Sequence, residues 1–153
     1  MATTTGRTTS KKTSTTGKNS TIRKTEELLV VTRNTEGTFA RLTSPLSRNN
    51  INVECYTSYA WGNEAAFRLV TDNNRKARDI LRAEGYQVQE VPVVLWYTKN
   101  EPGWLTKATT ALANAHISTY SSYASALPNT DNTVVTFNTN DTNRTVEVLG
   151  NLR

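Results

Sequence analysis

The chain is 153 residues long, which suits one domain or two small lobes sharing a core; it excludes two independent robust domains, because units of roughly 60 residues bury too little apolar surface alone. Its formal charge of +5 is unevenly placed: Arg7, Lys11, Lys12, Lys18, Arg23 and Lys24 stand in the first 24 residues with no acid among them, leaving twelve bases against thirteen acids in the remainder. The basicity belongs to the N-terminal segment, so the rest offers no broad cationic face for nucleic acid.

Half of residues 1–24 are Thr or Ser, and only Met1, Ala2 and Ile22 bring apolar bulk. Ordering such a segment costs backbone entropy with little burial in return, so residues 1–24 are expected to be a disordered tail. Its basic, acid-free composition also matches an organelle transit peptide, though without an amphipathic stripe. No signal-peptide core or long apolar run occurs, which points to a cytoplasmic protein with no membrane partner. The lone Cys55 agrees, since it excludes an intrachain disulfide framework.

Glu27 to Arg33 carries the apolar run Leu28-Leu29-Val30-Val31 between turn formers, which predicts a strand covered on both faces. Asn34 to Gly37 is then a loop. From Thr38 to Arg48, Phe39, Leu42 and Leu46 recur at helical spacing, and Pro45 is expected to kink or tighten that helix. Ile51, Val53 and Cys55 alternate with Asn52, Glu54 and Tyr56, the period of a strand with one wet face. Trp61-Gly62-Asn63-Glu64 makes a turn, and Ala65, Phe67 and Leu69 alternate again. Asp72-Asn73 opens a helix that Gly85 closes, with Ala77, Ile80 and Leu81 on one face. Tyr86 to Glu90 is a last strand.

The same order then returns about 66 residues later: Val93-Val94-Leu95-Trp96, Asn100-Glu101-Pro102-Gly103, Ala108 and Leu112, Ile117-Ser118-Thr119. Past the middle the offset grows to 68, aligning Phe67 with Val135 and Leu81 with Leu149, so a two-residue difference falls in the loop after Tyr59. Each copy reads β-α-β-β-α-β, an antiparallel sheet with two helices on one face. The fold class is therefore α+β, two ferredoxin-like lobes spanning residues 25–90 and 91–153. Only Gly150-Asn151-Leu152-Arg153 follow the last helix, so the fourth strand of lobe two is missing or comes from elsewhere. An unpaired edge at Val93 to Tyr97 would then invite a second chain, and a homo-oligomer is expected.

A short apolar strand, a loop ending in Asn-x-x-Gly, a helix and then Ile-Asn-Val opening a second strand resemble the ACT domain, a small ligand-binding regulatory unit of amino-acid-metabolism enzymes. The resemblance covers residues 26–150 as a tandem pair. Lobe two carries the fuller motif, Asn100-Glu101-Pro102-Gly103 with Leu105, whereas lobe one has Glu36 where the family has Pro and keeps Gly37. The resemblance implies a non-enzymatic protein that binds a free amino acid or similar effector between two units. It implies ligand contacts at Asn34, Gly37, Thr38 and Asn52 of lobe one and at Asn100, Gly103, Trp104 and Ser118 of lobe two. Ser118 departs from the Asn of that pattern. Elementary chemistry agrees with these positions: the glycines let backbone approach a ligand at a helix start whose free N–H groups favour a carboxylate, and Asn carbonyls can accept from an ammonium. The bland alternative is that Asn34 and Asn100 simply make turns.

No catalytic residues are expected. His116, the only histidine, has no nucleophile and acid at triad spacing. No metal-ligand cluster, phosphate loop or cofactor motif occurs. Three readings of function follow: an amino-acid-binding regulatory protein, a regulatory subunit that docks on a metabolic enzyme without its own ligand, and an RNA-stacking sheet. The third would use Trp61, Trp96, Trp104, Tyr56, Tyr59, Tyr97, Tyr120 and Tyr123 as its platform.

Overall fold

A computed structural model describes residues 16–17, 20–127 and 129–152. The strands are β1 (Thr16–Gly17), β2 (Ser20–Arg33), β3 (Val53–Trp61), β4 (Glu64–Thr71), β5 (Val88–Lys99), β6 (Thr119–Ala126) and β7 (Asn132–Thr139). The helices are α1 (Thr38–Arg48), α2 (Asn74–Ala83), α3 (Trp104–Asn114) and α4 (Thr142–Gly150). One antiparallel sheet runs β3-β4-β2-β5-β7-β6, with β1 paired to β2 alone. No helix among the described residues is long and apolar enough to cross a membrane.

Two long central strands each serve both lobes. The C-terminal half of β2 pairs with β4, from Leu28 opposite Leu69 to Arg33 opposite Glu64. Residues 21–30 of it pair with β5, from Thr21 opposite Tyr97 to Val30 opposite Val88. Residues 20–26 thereby supply the fourth strand of lobe two, and the first residues of β5 supply that of lobe one. This corrects two expectations. Ser20–Lys24 belong to a strand rather than to a disordered tail, because Ile22, 4% exposed, joins the lobe-two core. Val93 to Tyr97 is no free edge either, since β5 pairs with β2 on one side and β7 on the other. The expectation of an oligomer loses that premise. Residues 1–15 and 18–19, with most of the predicted tail and the transit-peptide reading, lie outside the described residues.

The repeat is exact in register. In lobe one the hairpin closes at Trp61 opposite Glu64, and in lobe two at Ala126 opposite Thr133 with Leu127 donating to the Asn132 carbonyl. The two extra residues sit in that turn. At the helix starts, Asn73 caps α2 by accepting from the Lys76 N–H, and Asp141 caps α4 by accepting from Arg144. Gly85 takes φ +89 just past α2, where an L side chain would be strained. Helix α1 runs through Pro45 as one element, and the buried proline faces the core.

The helix side of the sheet holds one apolar cluster per lobe. Leu28, Leu42, Leu46, Phe67, Leu69 and Leu81 centre the first; Ile22, Val94, Trp96, Leu112, Phe137 and Leu149 centre the second. The reverse face also buries a cluster, Cys55, Val70, Val93, Leu95 and Val134. A bulge between Val53 and Cys55 breaks the predicted alternation there. Val53 packs with the helix-side core, Cys55 turns to the reverse face, and Tyr56 meets Phe39. The aromatic set forms no common stacking platform: Trp96 is fully buried on the helix side, while Tyr97 and Tyr123 pack against the reverse cluster.

Candidate functional site

The loop from β2 to α1 is held at both ends. Asn34 donates its backbone N–H to the Asn63 carbonyl in the β3–β4 hairpin, at 2.7 Å. Gly37 takes φ +73, which turns the chain into α1 at low steric cost. Thr38 is buried; its hydroxyl donates to the Thr35 carbonyl at 2.6 Å and accepts the Thr35 N–H at 3.1 Å. Arg41, one turn into α1, donates to the Glu36 carbonyl at 2.8 Å and to Thr35 Oγ1 at 2.7 Å. A Cβ at Gly37 would stand 3.1 Å from this guanidinium, which would have to give by a few tenths of an ångström, and the positive φ would strain any L side chain there.

Beside this loop lies a depression of about 390 Å³. Asn34, Thr35, Gly37 and Thr38 line its polar end, Phe39 and Phe67 its apolar wall, and Ser58, Tyr59 and Ala60 of edge strand β3 its side. Phe39 stacks on Phe67 with centroids 5.1 Å apart, which fixes the wall. The Thr38 N–H is taken by the Thr35 carbonyl, but the N–H groups of Phe39 and Ala40 have no acceptor among the described residues. They are a free donor pair at a helix N-terminus, an arrangement complementary to a carboxylate.

Lobe two is cast from the same mould with a different filling. Asn100 donates its N–H to the Asp131 carbonyl at 2.7 Å, and Gly103 takes φ +90. The position of Thr38 is held by Trp104. Its indole packs edge-on to Trp96 with centroids 5.8 Å apart, donates from Nε1 to Glu101 Oε2 at 3.1 Å, and lies 5.2 Å beneath Lys107 Nζ. Lys107 is the repeat partner of Arg41. The repeat partners of Phe39 and Phe67 are Leu105 and Val135.

The strand starts are built alike. Asp72 Oδ1 accepts the Asn52 N–H at 3.1 Å and the Asp72 N–H returns a bond to the Asn52 carbonyl; Asn140 does the same for Ser118 at 3.0 Å. They stand apart from the loops. Asn34 flanks the Glu64 end of β4 and Asn52 the Thr71 end, seven residues away, or roughly 23 Å at strand rise. Asn100 and Ser118 flank opposite ends of β7 in the same way. Asn34, Gly37 and Thr38 therefore converge on one depression, Asn52 does not join them, and Asn100, Gly103 and Trp104 form their own group without Ser118. Sequence reasoning missed Phe39, Arg41 and Tyr59. The recurrence of a base at 41 and 107 was the signal for Arg41.

A buried polar network crosses the reverse face between the lobes. Glu27, fully buried, pairs with Arg68 and accepts from the Tyr123 hydroxyl at 3.0 Å. Burial and the Glu27 charge push the Tyr123 phenol far above its usual range. Burial opposes the charge of Arg68, but the proximity of Tyr59 and the Glu27 carboxylate outweighs that cost. Beside it Arg23 of β2 pairs with Glu54 of β3, and burial, then the Glu54 charge, raises the Cys55 thiol. The signal for Glu27 was a carboxylate where the other copy has Val93.

The sequence matches the family described as an ACT domain pair across residues 22–152. No curated protein matches the chain. Among solved structures, protein BT0572 from Bacteroides thetaiotaomicron superposes with a TM-score of 0.77 at 21% identity, over 82% of this chain and 86% of that one. The regulatory subunits of aspartate kinase from Thermus flavus and, in ligand-free form, from Thermus thermophilus give TM-scores of 0.59 and 0.56 at 11% and 12% identity. Each of those likenesses covers 86% of this chain and 94% of the other. At such identities they establish the shared fold.

Proposed function

Since the chain belongs to the ACT domain family, as a pair of such domains over residues 22–152, we propose that it is a non-enzymatic regulatory protein that binds a free amino acid in lobe one. The observation that carries this reading is the depression beside the β2–α1 loop. Its polar end offers two free helix N–H groups to a carboxylate, the Asn34 side-chain carbonyl is available to an ammonium, and Phe39 and Phe67 face an apolar side chain.

Binding acts on protein partners by shifting the arrangement that it favours. Strand β3, which closes one side of the depression, also bears Glu54, the partner of Arg23 on the segment that completes lobe two. Tyr59 on the same strand lies near Arg68, which holds Glu27 and through it Tyr123 of β6. A ligand that moves β3 therefore pulls on both interlobe contacts. In this reading the protein regulates a metabolic enzyme, the class of partner this family serves, in the cytoplasm.

A thermal-shift screen of the free amino acids tests the reading. A ligand of the folded state raises the melting midpoint by about 3 °C at about ten times its dissociation constant, and Asn34→Ala weakens that ligand by roughly 1–3 kcal/mol. No shift with any amino acid, together with co-purification of an enzyme, would replace this reading by a docking subunit without its own ligand.

A further inference from the structure

The two lobes keep the same backbone at the helix-opening loop but distribute aromatic bulk in opposite ways. Lobe one has the small Thr38 at the first helical position and places its rings on the wall, as Phe39 and Phe67. Lobe two reverses this, with Leu105 and Val135 on the wall and an indole at the first helical position. Trp104 is not a loose surface ring. It is held edge-on by Trp96 of the core, tethered through Nε1 to Glu101 of its own loop, and covered by Lys107. Its loop anchor Glu101 is the repeat partner of Thr35, which lines the lobe-one depression, so the indole is tied to the same part of the loop that a ligand in lobe one would meet.

From this we infer that Trp104 is a built-in occupant of lobe two's counterpart of the depression, so that the chain takes one small carboxylate ligand, in lobe one. The inference rests on the reading of lobe one as the binding lobe, and it reverses the expectation that Asn100, Gly103 and Trp104 contact a ligand. Thr38 and Trp104 are then the residues that set which lobe responds. Because an effector enters only one of two linked lobes, its binding distorts the interlobe contacts asymmetrically, which a symmetric pair of sites would not do.

Two measurements on the full chain test it. In calorimetry with L-phenylalanine as probe, the wild type binds one molecule per chain, Trp104→Thr binds two, and Thr38→Trp binds none. Two molecules on the wild type, or one on a folded Trp104→Thr, would overturn the inference. The second measurement needs no amino-acid binding: free indole should restore the melting midpoint of Trp104→Ala toward the wild-type value by refilling the vacated space, while leaving the wild type unmoved. Failure of indole to raise the variant's midpoint would also overturn it. Indole rescue without any phenylalanine binding would uphold Trp104 as the occupant and count against the amino-acid reading of lobe one instead.

Discussion

Replacing Ile22 by Ala probes the strand exchange at its most buried point. Ile22 is 4% exposed and packs with Val94, Trp96, Phe137 and Leu149, and its Cδ1 lies 3.7 Å from where a Cβ on Gly150 would stand. The substitution removes three carbons, worth about 0.8 kcal/mol each in transfer, and leaves a cavity that strands paired on both sides of β5 cannot collapse. A loss of about 3 kcal/mol is expected, or a fall of roughly 6–12 °C in the melting midpoint at this chain length. Urea unfolding followed by circular dichroism gives the free energy directly, with an unchanged slope showing that the denatured state is not altered. If residues 20–26 were a free tail, Ile22→Ala would stay within about 0.5 kcal/mol of wild type. That outcome would refute the shared strand, and with it the closed edge at Val93 to Tyr97.

The interlobe network makes two further predictions. Glu27→Val alone leaves Arg68 buried without its carboxylate and should cost about 3–5 kcal/mol, whereas adding Arg68→Thr should recover at least half, because Val93 and Thr136 hold those two positions in the other copy; equal costs for the single and double variants would dissolve the pair. Burial raises the Cys55 thiol and, more strongly, the Tyr123 phenol. The folded protein therefore keeps protons that the unfolded chain releases above the ordinary values of about 8.5 and 10, so stability present below that range is lost as pH climbs through it. The urea midpoint should fall from about pH 9 upward, less steeply in Tyr123→Phe, and a midpoint flat to about pH 10.5 would count against the buried phenol.

Much of the fold was legible because the signals were local and came twice. The periods of Phe39, Leu42 and Leu46 and of Ala65, Phe67 and Leu69, the Asn73 and Asp141 caps, and the Gly85 stop each specify an element by short-range physics. The N-terminal strand was not legible. Thr21, Arg23 and Thr25 are polar, and only Ile22 looks inward, so the burial that orders Ser20–Glu26 comes from β5, some seventy residues away. The phase of β3 failed for a related reason, since a bulge after Val53 leaves no mark in an alternating sequence. At the site, the loop glycines and Asn34 were readable from the repeat. The distance between Asn34 and Asn52 depends on which end of β4 each one flanks, which is a matter of register rather than of motif.

The central claim is that a free amino acid binds in lobe one beside the β2–α1 loop. Titration of the best amino acid from the screen into isotope-labelled protein, followed through backbone amide resonances, tests it most directly. The account predicts the largest shifts at Asn34 to Ala40 and Ser58 to Ala60, with the Phe39 and Ala40 amides moving downfield as they donate to a carboxylate. Shifts centred instead on Asn100 to Thr106, or no saturable shift with any amino acid, would contradict it.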